Sequence, residues 1–252
     1  ETKDEDTIKN KGKKIYIINE KKFPLAKGKY GDIPLILRNF LQFDSNLCRS
    51  KAEPNLLKYK YRCLLRYGIE KNKYQSFLSC ICDVYAREVF NNSSLSLKEF
   101  KKILIDSISL DDFISHNNGN LTSIFLSKDI DENYLNEFII EEKYKDSFFY
   151  KILDLKNTNQ VFLYKKIINA YQNFIKYIES NNNYIDYTYL WDIICKPNNK
   201  LFHNGINLII LDITNDDLTN NVKVICPKQN YSNEFLDENK LSLILIKNNE
   251  IF

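Results

Sequence analysis

Between Tyr74 and Val89 the apolar residues Tyr74, Phe77, Leu78, Ile81, Val84, Tyr85 and Val89 recur at steps of three and four, which places them on one helical face. Ser96-Leu-Lys-Glu99 has the spacing of a capping box, in which the Ser oxygen takes the Glu99 amide and Glu99 takes the amide of Ser96. Leu95 and Phe100 flank it as a hydrophobic staple. Ser109-Leu-Asp-Asp112 repeats the arrangement and opens a short helix that Gly119 can end. A longer helix is predicted from Asn133 to about Leu155, carried by Tyr134, Leu135, Phe138, Ile139, Phe148, Phe149 and Ile152. Val161, Tyr164, Ile168, Tyr171, Ile175 and Ile178 then alternate by three and four, the spacing of a coiled-coil seam. That seam is short, so a helical hairpin with the preceding helix is expected in place of a dimer zipper.

The pattern changes on either side of this helical stretch. Asn181-Asn-Asn183 breaks the helix, and Trp191 lies in a short apolar segment ended by Pro197. Ile206–Ile213, Val222–Cys226 and Leu241–Ile246 are β-branched runs separated by Asn- and Asp-rich turns. Toward the amino terminus, 13–18 is a short strand candidate, and Gly28 and Gly31 bracket a turn. Pro34 suits the first turn of a helix reaching about Phe43. Residues 1–12 are charged and read as a mobile lead-in. The fold class expected is α+β, with a mostly helical region over 13–200 and an antiparallel β-rich part over 201–252. Lys247-Asn-Asn-Glu250 reads as a hairpin turn into a strand that Phe252 cuts short. With Glu1 where an initiator Met would stand, the chain reads as a piece of a larger protein.

A length of 252 residues suits one large or two small domains, and folding at that size buries roughly 70–75% of the unfolded surface. No apolar run approaches the ~18 residues of a membrane span, so no membrane partner is expected. The six cysteines lie in apolar settings such as Phe77-Leu-Ser-Cys-Ile-Cys82, which points to buried free thiols in a reducing compartment. The net charge of +3 is unevenly spread. Residues 1–75 carry 18 Lys and Arg against 9 Asp and Glu, and the remainder carries 18 against 24. Such asymmetry suggests a polyanion-facing first third, although a solvated face would read the same way.

Catalytic patterns are missing from the sequence. There is no Gly-rich phosphate loop and no nucleophile elbow. Two histidines and no Cys-x-x-Cys leave too few ligands for zinc, so no metal and no cofactor are expected. His203 could pair with Cys195 or Cys226, but all three lie near apolar segments and nothing in the sequence fixes their geometry. Asp212, Asp216 and Asp217 with Lys223 faintly resemble a metal-dependent nuclease set, but the same residues are what a polar turn requires, and the turn is the favoured reading. The binding candidates are Lys58, Lys60, Arg62, Arg66, Lys71 and Lys73, interleaved with tyrosines 59, 61, 67 and 74. Cations there can neutralise phosphates while the rings stack or pack. Arg66 sits among Leu64, Leu65 and Tyr67 and could instead form an internal ion pair.

Several segments together resemble a known family. They are Lys22-Phe-Pro-Leu25 with Tyr30-Gly-Asp-Ile-Pro-Leu-Ile-Leu-Arg-Asn-Phe-Leu41, and Cys63-Leu-Leu-Arg-Tyr-Gly-Ile69 with Gln75-Ser-Phe77. Asp111-Asp-Phe-Ile-Ser115 with Asn118-Gly-Asn120, Leu190-Trp191 and the block from Ile206 to Phe252 complete the set. In these the chain resembles the large subunit of the early transcription factor of nucleocytoplasmic large DNA viruses, in its giant-virus versions. Asp32 departs from the aromatic expected at its position, and the segment from Asp129 to Ile185 has no counterpart. The resemblance implies a non-enzymatic protein that binds early promoter DNA beside an ATPase small subunit and recruits viral RNA polymerase. It also implies location in the virion and in the viral factory of the host cytoplasm. A structural or assembly protein of a large virion is the competing class, and a degenerate nuclease or helicase-associated module a third.

Overall fold

The computed structural model describes residues 14–58, 63–90, 95–127, 132–213, 222–225 and 236–252. The fold is α+β. The chain divides into two compact units: the first takes Glu1–Lys71, Leu211–Val224 and Ile246–Phe252, the second Asn72–Ile210 and Ile225–Leu245.

In the first unit, β1 (Ile17–Ile18), β2 (Tyr30–Gly31) and β3 (Arg66–Tyr67) form a small mixed sheet in that order. β1 runs parallel to β2 with Ile17 opposite Tyr30, and β3 runs antiparallel to β2 with Tyr67 opposite Tyr30. The 26–29 turn presses on Gly68, where an added Cβ would overlap the Ala26 carbonyl. Pro34 caps α1 (Leu35–Phe40), which buries Leu37. A 3-10 turn, Ser45–Cys48, follows. Cys48 is bonded to Cys63, with Cα atoms 5.6 Å apart, so these two are not the free thiols expected. Two cysteines 15 residues apart came together through chain reversal at Arg49 and Leu57, which no local pattern announces. Little of 14–71 is helical, in contrast to the helical region expected from 13 onward.

The second unit is built on helices: α2 (Ser76–Glu88), α3 (Leu97–Asp106), α4 (Leu110–Ser115), α5 (Leu121–Phe125), α6 (Glu132–Glu137), α7 (Glu142–Lys145), α8 (Phe148–Lys151), α9 (Thr158–Glu179) and α10 (Trp191–Cys195). Both capping boxes form, at Ser96 with Glu99 and at Ser109 with Asp112. Phe77, Leu78, Ile81 and Tyr85 of α2 are buried as their spacing predicts, whereas Val89 is exposed. α9 runs through the middle of this unit against α3, α4, α5 and α6, burying Tyr164, Ile168, Phe174 and Ile178. Its seam thus packs within the chain, though not in the hairpin expected. The predicted 133–155 helix is three short ones, and at the second of the two breaks Asp111 reaches across to accept from the Ser147 hydroxyl and, at 2.9 Å, from the Phe148 amide. That contact starts a new helix at Phe148.

α9 ends where the Asn181–Asn183 break predicts. The buried Lys101 places its ammonium 2.9 Å from the Ser180 carbonyl and 3.3 Å from that of Glu179, satisfying the helix's last acceptors. Gln75, fully buried, donates to Ser180 O at 2.6 Å. The carboxy-terminal strands β4 (Ile206–Ile213), β5 (Lys223–Ile225) and β6 (Leu241–Asn248) make a sheet in the order β5-β4-β6. The turn after β6 holds Asn249 at φ 55° and bridges Asn248 to Ile251, as the hairpin pattern predicts.

Candidate nucleic-acid interface

The residues singled out by sequence meet different fates. Lys60 and Arg62 lie outside the described residues. Lys58 is half-buried, and its amide donates to Cys48 O at 2.9 Å. Lys71 is exposed at the end of the first unit. Lys73 belongs to the second unit, with its ammonium 5.0 Å from the Tyr74 ring centre.

Arg66 is not a phosphate contact. It is 6% exposed, and its guanidinium is spent on the backbone. Nε donates to Asp32 O, Nη1 to Lys22 O at 3.2 Å, and Nη2 to Glu20 O at 3.1 Å and Asn19 O at 3.3 Å. The Phe23 ring lies 5.9 Å away. Burial lowers its pKa, and the nearby Asp32 and Glu20 oppose that shift. A fork of five donors can collect four carbonyls in this way; a Lys could not.

The other described arginines of this third are also internal partners. Arg49 pairs with the buried Asp32 carboxylate, and Arg38 lies 2.5 Å from Glu20. Asp32, out of pattern for the family resembled, is thus the anion of an internal pair. What remains facing solvent is lysine. Lys21 and Lys22 stand exposed on the Asn19–Lys22 turn, closed by Lys22 N–H to Asn19 O at 3.2 Å and Lys21 N–H to Asn19 Oδ1 at 2.9 Å. Three carbonyls of this turn are the ones Arg66 grips, so Arg66 orders the loop that presents two cations. Lys29 is exposed on the neighbouring turn. Sequence reasoning passed over Lys21 and Lys22 because a single Lys-Lys pair is unremarkable until a scaffold holds it.

The second unit carries an open groove of about 730 Å³. Ile105, Leu110, Tyr144, Tyr171 and Ile175 give it an apolar floor, with Lys143, Asp146, Lys176 and Glu179 around it. Two of its polar groups have partners elsewhere in the unit. The Tyr171 hydroxyl donates to Ile108 O at 2.8 Å, and burial pushes its pKa up to about 12. Lys143 pairs with Glu141 at 2.8 Å.

Beside it in sequence, His116 is buried with Nδ1 lacking a hydrogen-bond partner, and its Nε2 is 4.0 Å from Asp112 Oδ1. Asp192, also buried, accepts from the Asn117 amide at 2.7 Å and lies 3.6 Å from the Lys196 ammonium. This holds Asn117, Asn118 and Gly119 at successive positive φ. Burial and Lys196 lower the His116 pKa against the pull of Asp192 and Asp112.

Burial raises Cys80 and Cys195 to about 12, far from the thiolate range. His203 contacts Asn199 at 3.1 Å, and Asp212 pairs with Lys247 at 3.4 Å. Cys226, Asp216 and Asp217 lie outside the described residues. Among the described residues no three His, Cys, Asp or Glu side chains are grouped to hold a metal ion, and no helix is long and apolar enough to cross a membrane. Comparison with family models, curated proteins and solved structures finds no match to this chain.

Proposed function

We propose that the chain is a non-catalytic, DNA-facing scaffold module of a viral early transcription factor's large subunit, working with an ATPase subunit and viral RNA polymerase. The observation that carries the DNA-facing part is the Lys21–Lys22 turn, whose backbone is ordered by Arg66 and whose two lysines are exposed. Ordered lysines meet phosphates at low entropic cost and read no sequence. The partners and the viral setting rest on the family resemblance alone.

The test is a salt titration of duplex DNA binding by the intact chain. Replacing Lys21 and Lys22 by Gln should weaken binding to all sequences and flatten the log–log salt slope by about 1.8, since each phosphate contact contributes ~0.9. An unchanged slope in the folded variant would contradict the proposal. A second reading, a virion assembly protein, draws on Phe148, Ile152 and Leu155, which are 60%, 63% and 60% exposed. Salt-insensitive self-association, lost on Phe148→Ser, would favour it.

A further inference from the structure

We infer that the first unit is a redox-conditional module, ordered while Cys48–Cys63 is intact and loosened when that bond is reduced, with the second unit indifferent to the change. The inference rests on where the disulfide sits in a chain of contacts. Cys48 O accepts the Lys58 amide at 2.9 Å, so one residue grips the chain at both 58 and 63. The excursion between them supports β1: Ile17 N–H donates to Asn55 O at 2.8 Å, and Leu57 N–H to Ile15 O at 2.9 Å. Arg49, next to Cys48, pairs with Asp32. The Asp32 carbonyl in turn accepts from Arg66, which holds the Asn19–Lys22 turn. The path runs from the disulfide to the lysine turn without leaving the unit.

The interior along that path is partly polar. Asp32 and Arg66, both charged, occupy the interior of this unit, and Asp32 Oδ1 there has no hydrogen-bond partner. Small cores need a staple, and a cross-link between cysteines 15 positions apart supplies one by shrinking the unfolded ensemble. The bond is also approachable. Cys48 is 1% exposed, but Cys63 is only half-buried. A thiolate of a dithiol reductant attacks Cys63 Sγ, and the electron pair of the S–S bond leaves on Cys48 Sγ, which takes a proton. The reductant's second thiolate then displaces Cys63, so the dithiol ends as a disulfide and two electrons have entered the protein. Cys80 and Cys82 are both buried, so they offer no ready exchange partner.

The experiment is limited trypsinolysis of the intact chain, oxidised and after reduction and alkylation, followed by mass spectrometry of cuts after Lys21 and Lys22. Trp191, the single tryptophan, reports the second unit by its fluorescence during denaturation. Reduction should raise cutting at Lys21 and Lys22 by about 100-fold, the population change expected on releasing such a loop. The Trp191 midpoint should stay where it was. A Cys48→Ala/Cys63→Ala variant should behave as the reduced wild type does. Equal cutting in both states, a Trp191 midpoint that falls with reduction, or alkylation of Cys48 and Cys63 in unreduced protein would each overturn the inference.

Discussion

The two units solve the problem of an interior by different means. The second fills it with rings and aliphatic chains: Phe77, Phe100, Phe113 and Phe174 are fully buried, and Phe113, Phe174 and Phe125 touch in sequence with centroids 5.4 and 4.9 Å apart. Its buried charges, such as Lys101, serve helix ends. The first has Leu37 as its largest fully buried side chain, and sets a guanidinium and a carboxylate in its interior beside a disulfide. Apolar burial is non-directional and tolerates local change, whereas a clamp of directed hydrogen bonds fails when one member is removed. A surface that must hold small turns in fixed positions is better served by the clamp.

The largest expected effect comes from breaking the apolar side of this contrast. Phe174→Ala should cost about 4 kcal/mol, the loss of a buried ring plus its cavity, and should lower the Trp191 transition. Chemical denaturation followed at Trp191 reads it. Next comes the polar side. Arg66→Ala should cost about 3 kcal/mol in the first unit by stranding four carbonyls, and Arg66→Lys should recover little of it, because an ammonium cannot span them. Hydrogen exchange at Ile18 and Asp32 reads this loss. A full rescue by Lys would mean that charge, not geometry, is what Arg66 supplies.

The smallest effect is a pH dependence confined to the second unit. The folded pKa of His116 is depressed below its ordinary 6.5, so the unfolded state binds the proton more readily. The stability this neutral imidazole contributes is complete above about pH 6.5 and is lost as pH falls toward the folded pKa. Asp112 and Asp192 oppose the shift and Lys196 reinforces it. Urea midpoints measured between pH 7.5 and 5 should fall less steeply in His116→Gln than in the wild type. Parallel falls would assign the acid sensitivity to other groups.

How much of this was legible depended on the range of the interaction. The capping boxes at Ser96 and Ser109 close within three residues, and both formed as read. The β-branched runs after Ile206 likewise became strands at nearly the boundaries expected. The 133–155 helix came apart into three, and at Phe148 part of the cap comes from Asp111, 36 residues upstream of Ser147 and outside any local window. Arg66 was readable as charge and as a residue among apolar neighbours, but its carbonyl partners lie 34 to 47 residues away. The same distance hid the Lys21–Lys22 turn. Apolar flanks around the cysteines suggested buried thiols, and burial did follow for Cys48, Cys80 and Cys82. Burial does not decide pairing, however, which depends on where a second sulfur arrives.

The contrast between the units is tested most directly by hydrogen exchange of the intact chain, compared peptide by peptide before and after reduction. Amides of Ile17, Asp32 and Leu57 should lose protection by about 100-fold when Cys48–Cys63 is opened. Amides of Phe77–Cys82 and of Ile168–Phe174 should exchange at the same rates in both states. Uniform loss across all of these, or no loss at Asp32 and Leu57, would contradict the account of one unit held by a polar clamp and staple and the other by its core.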